Sequence, residues 1–355
     1  PALTGNKRQI TITNNGDVSA TGLSISYPIW PSGTSSATSC GSTLAANASC
    51  TISITPGDTA TSGCSTTAKG KAPTPGTITV SATNASIAVT SKVVVLDYGC
   101  QYQGGFLYSV DDTTNNGVKG TCSSSPCTGS IGGKVASLVD QASNALGSTD
   151  SIPWSANVAN GTPDFTVILG VDDKSTALNP SPIVPTYPVQ TPAFKPCNGS
   201  SDGACNTSNI ISFFNYNNHG VGGIPPTPLT SYAAGLCKAT INGYKDWYLP
   251  AICEIDFGFG SCSTEASQSM ATNLEFLIGD PQSTSPLPRK SCQPPSNTDC
   301  LAGYYWSSTE YFYTPDNTAW YELFDSTIGG NMAAPLTDND KDFQASVRFT
   351  RALIP

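Results

Sequence analysis

A chain of 355 residues has room for about two domains of ordinary size. Its 16 Lys and Arg against 25 Asp and Glu leave a net charge of −9, which excludes the basic footprint that nucleic acid or an anionic membrane surface requires. Only 12% of residues are charged, yet 14 Tyr, 12 Phe and 5 Trp can fill a core, so the composition is that of a β-rich, loop-rich exported protein and not of a disordered one. No apolar run reaches the ~18 residues that a spanning helix needs. The opening at Pro1 carries no export signal, and the chain reads as a mature form from which a signal, and an anchor with it, has been removed.

Residues 1–97 read as short strands. Gln9–Thr13 alternates polar and apolar and stops at Asn14-Asn15-Gly16; Leu23–Tyr27, Cys50–Ile54 and Thr77–Val80 alternate again, with Pro56-Gly57 closing the third run. Period-2 runs separated by turn residues at this spacing predict an all-β sandwich. Ile10–Ser26 and Cys40–Thr51 resemble bacterial Ig-like surface repeats, which implies an N-terminal Ig-like stalk.

Residues 98–355 change character. Helix-like stretches are expected at Gly133–Ala145, Ser231–Thr240 and Ser267–Ile278, separated by long Pro- and Asn-rich loops, above all 172–209 and 279–300. Close cysteine neighbours staple these loops: Cys122 with Cys127, Cys197 with Cys205, Cys253 with Cys262 and Cys292 with Cys300, and in the first region Cys40 with Cys50. Zinc is the competing reading, but it wants two tight Cys pairs or His ligands, and the chain has one His, His219. Of 13 cysteines at least one stays unpaired within the chain; Cys64, Cys100 and Cys237 have no near neighbour to claim them.

Three passages of the second region carry a specific combination of motifs. Gln103–Asp112 is followed by Gly132–Ala136 and Ile152-Pro153-Trp154-Ser155. Ala234–Cys237 is followed by Gly243–Pro250, with Asp246-Trp247-Tyr248-Leu249-Pro250 at its end. Tyr304–Glu310 is followed by Ala319-Trp320 and a terminal Val347–Ala352. This order resembles the Lcl-type C-terminal domain of bacterial surface proteins, in the formylglycine-generating-enzyme-like branch of the C-type-lectin fold. The resemblance implies an α+β head over 98–355. Glycosaminoglycan binding occurs among such proteins, but a net charge of −9 argues against a polyanion here.

The residues themselves read first as structure. Trp247, Leu249, Trp306 and Trp320 are expected to anchor the core, and Arg348 and Arg351 to form buried ion pairs with Glu310 or Asp246, a ligand anion being the other option. No enzyme signature stands out. His219 lies in a Gly- and Asn-rich loop, no Gly-x-Ser-x-Gly elbow or nucleotide loop occurs, and Cys292 and Cys300 sit in a Pro-rich loop that suits a disulfide. No cofactor is expected. Calcium is the one ion for which the acidic runs Asp172-Asp173 and Asp338–Asp342 offer oxygen ligands, with a solvated loop as the default.

The segment 304–346 points to function. Tyr311, Phe312, Tyr313, Asp316, Asn317, Tyr321, Phe324, Asn331 and Asp338 mix aromatics with small polar residues, as binding loops do, and are expected to face solvent over buried Trp306, Trp320 and Val347. Some C-type-lectin-fold proteins are rewritten by diversity-generating retroelements, and the resemblance implies this for 311–343. The products of a rewritten Asn codon include Tyr, Phe, Asp, Ser, Thr, Ile, Gly, Ala, Pro and Leu but exclude Trp, Glu, Gln, Met and Lys. The reading is an exported surface binding protein with a protein or glycan ligand on another cell or host surface. The alternatives are a secreted hydrolase working through carboxylates and a structural surface-layer component.

Overall fold

The computed structural model describes residues 7–61, 64, 72–110, 133–142, 151–155, 167–178, 195–215, 228–256, 262, 268–278, 301, 303–324 and 334–354. The chain divides into two compact units, residues 1–102 and 103–355, the break falling a few residues beyond Asp97. It is mostly β-sheet with few helices.

The first unit runs β1 (Arg8–Thr13), β2 (Ala20–Thr21), β3 (Ser24–Ser26), β4 (Ser35–Thr38), β5 (Thr43–Leu44), β6 (Ser49–Thr55), β7 (Gly76–Ser81), β8 (Val89–Val93) and β9 (Gln101–Tyr102). Two three-stranded antiparallel sheets form, in the orders β1-β6-β4 and β3-β7-β8. Alternation gives each sheet one apolar face. Ile10 and Ile12 pair across from Ile52 and Cys50, and Ile52 of one sheet meets Ile78 and Val80 of the other in a single cluster walled by Leu23, Ile25 and Trp30. Two disulfides close the unit. Cys40–Cys50 is the expected neighbour pair; Cys64–Cys100 spans 36 residues and joins two cysteines that no local spacing connects.

The second unit continues with β10 (Gly105–Ser109), β11 (Lys134–Ser137), β12 (Ile152–Pro153), α1 (Gly203–Asn215), two 3-10 turns (Leu229–Ser231 and Ala233–Lys238), α2 (Ile252–Ile255), α3 (Met270–Ile278), β13 (Gly303–Glu310), β14 (Thr318–Phe324), β15 (Ala334–Asp340), β16 (Gln344–Ala345) and β17 (Thr350–Ala352). β11 lies between β10 and β17, antiparallel to both; β13-β14-β15 form an antiparallel meander. Bridges at Tyr248↔Thr350 and Tyr305↔Ser346 tie this framework together. Phe106, Tyr108, Ile255, Met270, Leu274, Tyr305 and Phe324 fill its main core.

Two expectations are corrected here. Residues 134–137 of the supposed helix 133–145 are the strand β11, buried along its whole length; a strand covered on both faces loses its alternation, and Val135-Ala136 then reads as helix. The supposed loop 172–209 contains the start of α1. Its sequence, Gly-Ala-Cys-Asn-Thr-Ser-Asn, is a poor helix former. Tertiary contacts override that preference: the Asp202 carboxylate accepts the Cys205 N–H as an N-cap, Cys205 is bonded to Cys197, and nine of its residues, Ile210 and Phe214 among them, are buried. Gly203 is required by packing, since a Cβ there would stand 2.5 Å from the Ala251 nitrogen.

Candidate functional site

Strand β13 supplies the base of the site. Seven of its eight residues are buried, including Trp306, whose indole N–H donates to the Ile152 carbonyl, and Glu310 at the C-terminal end. Glu310 is sealed from solvent together with Lys341, whose ammonium lies 2.6 Å from Oε1 and 4.7 Å from the Trp154 ring centre. The Ile168 N–H also points at this carboxylate. Burial pushes the Glu310 pKa up to about 8, against the opposing pull of Lys341 and the Ile168 amide. Lys341 belongs to the acidic run 338–342, and it is the one member of that run turned inward; Asp338, Asp340 and Asp342 are exposed.

Beyond Glu310 the chain turns through 311–317 before β14. Main-chain hydrogen bonds brace this connection: Tyr311 N–H to Thr318 O, Thr314 N–H to Tyr311 O, Asn317 N–H to Thr314 O, and Lys341 N–H to Asn317 O. The Asp173 carboxylate accepts the Phe312 N–H at 2.6 Å, and the main chain at 171–173 pairs with Glu310. Burial also raises the Asp172 pKa; its Oδ1 accepts the Lys174 N–H. The loop is therefore a fixed platform whose geometry is set from below.

On this platform stands an aromatic patch. The Tyr311 ring packs edge-on against buried Trp320 at 5.0 Å between centroids and against Tyr313 at 5.4 Å, with Phe312 5.3 Å from Tyr313. Tyr311 and Phe312 are half-buried, while Tyr313 is 73% exposed. Asp316 and Asn317 are exposed at the tip. Asp338 pairs directly across from Trp320, and Asp340 from Thr318, so both side chains rise on the Trp320 side of the meander. Partial burial raises the Tyr311 hydroxyl pKa, and the carboxylates of Asp338 and Asp173 add to it, as does Tyr313.

The expected ligand face thus separates into parts. Tyr311, Phe312, Tyr313, Asp316, Asn317 and Asp338 come together. Tyr321 does not join them: it packs on Trp306, Tyr304 and Phe343. Phe324 is a correction. It is 3% exposed and stacks on Tyr305 in the main core, because the C-terminal end of β14 lies over α3 and β10 and not at the loop end of the sheet. Asn331 lies outside the described residues, as do His219, Cys122, Cys127, Cys292 and Cys300. Asp173 and Asp340, which the sequence offers only as calcium ligands within acidic runs, also lie beside this loop, Asp173 through the Phe312 N–H and Asp340 across from Thr318.

The other expected features sort into structure. Arg351 forks onto Asp246 through two 2.8 Å hydrogen bonds and lies 3.8 Å over the Tyr244 ring, and Arg348 pairs with Asp140 at 2.8 Å. Glu310, one of the two acids expected for them, serves Lys341 instead. Cys197–Cys205 and Cys253–Cys262 are disulfides. Cys237 is a free thiol, buried and pushed up to about 12 by desolvation, which keeps it unreactive. Among the described residues no group of three His, Cys, Asp or Glu is placed to hold a metal, and no helix is long and apolar enough to cross a membrane. Four disulfides in the described residues are compatible with a secreted or extracellular protein. No protein-family model, curated protein or solved structure matches the chain.

Proposed function

We propose that this chain is an exported surface binding protein, in which an Ig-like N-terminal unit carries a head of C-type-lectin fold, and that the 311–317 loop with Asp338 is the ligand face for a protein or glycan. The observation that carries this reading is Tyr313. A tyrosine 73% exposed, edge-on to two further aromatics and carried by a loop braced by main-chain hydrogen bonds, gives a ligand rigid contact area at little entropic cost. The separation of contacts from scaffold supports diversification by a retroelement. Every Trp, Glu and Lys between 304 and 346 is buried, and these are residue types that rewriting of an Asn codon does not produce. Among the described residues of this segment the exposed positions Tyr313, Thr314, Asp316, Asn317, Asp338, Asp340 and Asp342 all belong to the set it does produce, Gln344 being the exception.

Two experiments test the reading. The full chain and its Tyr311→Ala/Tyr313→Ala variant are applied to arrays of defined glycans and of purified bacterial and host surface proteins. Binding present in the parent and lost in the variant is the expected result; binding that survives in the variant removes the ligand face from 311–317. Separately, a near-repeat of the codons for 305–350 beside a reverse-transcriptase gene is expected in the neighbouring DNA, and its absence there ends the diversification proposal while leaving the binding face standing.

A further inference from the structure

Taking the 311–317 loop as the ligand face, we infer that its occupant is cationic: an extended segment of a partner protein that presents arginine to the Tyr311–Tyr313 rings and to the carboxylates of Asp338 and Asp340.

Tyr and Phe faces carry negative potential and attract a guanidinium within about 6 Å of the ring centre, more strongly as water is excluded. Tyr313 offers such a face to solvent, and Tyr311 and Phe312 extend it. Charge selects the occupant. Asp316 on the loop and Asp338 and Asp340 on the neighbouring strand are all exposed. The lysine that sequence places among them, Lys341, is withdrawn into the interior on Glu310. Lys174 lies beside Asp173, its ammonium 3.8 Å from that carboxylate. Among the described residues the patch is therefore aromatic at its centre and negative at its rim, complementary to a cation and repulsive to a carboxylate, sulfate or phosphate.

The head builds a clamp of this kind once already, on buried Arg351 with an exposed carboxylate. Arg351 lies flat on Tyr244 at 3.8 Å while Asp246 takes its fork with two 2.8 Å bonds. A tyrosine face flanked by an aspartate thus holds an arginine in this molecule, and the surface patch offers the same two components. Arginine is favoured over lysine because the planar guanidinium can stack and fork at once.

The test uses the intact chain and four fluorescently labelled peptides of equal length, with Arg, Lys, Gln or Glu alternating with Gly, followed by anisotropy. The Arg peptide is expected to bind saturably, at least tenfold tighter than the Lys peptide, with no binding of the Gln or Glu peptides. Asp338→Asn/Asp340→Asn and, separately, Tyr311→Ala/Tyr313→Ala are each expected to weaken it at least tenfold. Asp17→Asn/Asp58→Asn, which changes net charge equally at exposed positions of the first unit, is expected to change nothing. Arg-peptide binding lowered equally by the Asp17/Asp58 variant is non-specific attraction to an acidic protein and overturns the inference. So does failure of the Arg peptide to bind while array binding is still lost in Tyr311→Ala/Tyr313→Ala, an outcome that leaves the ligand face intact. Array binding that persists in both patch variants sinks the ligand face itself.

Discussion

Replacing Lys341 by Met probes the buried pair beneath the ligand loop. The ammonium sits 2.6 Å from Glu310 Oε1 with both side chains at zero exposure, so at an effective dielectric of about 20 their gross attraction is about 6 kcal/mol, most of it offset by the desolvation of two ions. An ionised Glu310 left buried alone would cost about 3–5 kcal/mol, so without Lys341 the carboxyl keeps its proton instead. The cost depends on pH through Glu310. Its folded pKa of about 8 stands above its ordinary 4.5. Between those values the folded protein holds a proton that the unfolded chain has lost, so its stabilising contribution is full below about 4.5 and declines as pH rises through about 8. Without Lys341 the pull toward ionisation is gone and the decline extends to higher pH. The variant is therefore expected to be close to the parent at pH 5 and about 1.4 kcal/mol less stable at pH 9, one pH unit above the parent's folded pKa. Urea unfolding followed by tryptophan fluorescence reads this in the second unit, which holds four of the five tryptophans. Adding Glu310→Gln to Lys341→Met is expected to restore most of the loss and flatten its pH dependence. A loss of equal size at pH 5 and pH 9, or no recovery in the double variant, refutes the reasoning.

Phe324→Ala is expected to cost about 3–5 kcal/mol as a core truncation and Tyr313→Ala to stay within about 0.5 kcal/mol, both by the same urea assay; similar losses would mean that the two are not core and surface respectively. Non-reducing peptide mapping is expected to recover Cys64–Cys100, and Cys237 is expected to resist a thiol reagent until the protein is unfolded. Replacing both Cys64 and Cys100 by Ala is expected to lower the stability of the first unit by about 2–4 kcal/mol, because the bond closes a loop of 36 residues in the unfolded chain. Residues 1–102, expressed alone, are expected to unfold in one cooperative transition, since that unit holds its own two-sheet core and both its disulfides; a fragment without a cooperative transition would show that the unit depends on the rest of the chain.

The sequence by itself determined what rests on local pattern. Ile10, Ile12, Ile52, Ile78 and Val80 announce their strands because a sheet with one wet face keeps a period of two, and Cys40–Cys50, Cys197–Cys205 and Cys253–Cys262 lie close enough in the chain to be paired on sight. Trp306 and Trp320 are legible as anchors from size alone, and the aromatic–polar mixture at 311–317 marks a surface loop. Tertiary structure decided the rest. β11 is covered on both faces and so loses its period; α1 forms against its own propensity because Asp202, Cys197 and buried Phe214 hold it. Cys64 meets Cys100 only once the first unit has folded. Lys341 and Phe324 look from sequence like surface residues of an acidic, aromatic segment. Which way a side chain turns depends on what waits on the other side of the strand, and there Glu310 and Tyr305 had already made a place for them.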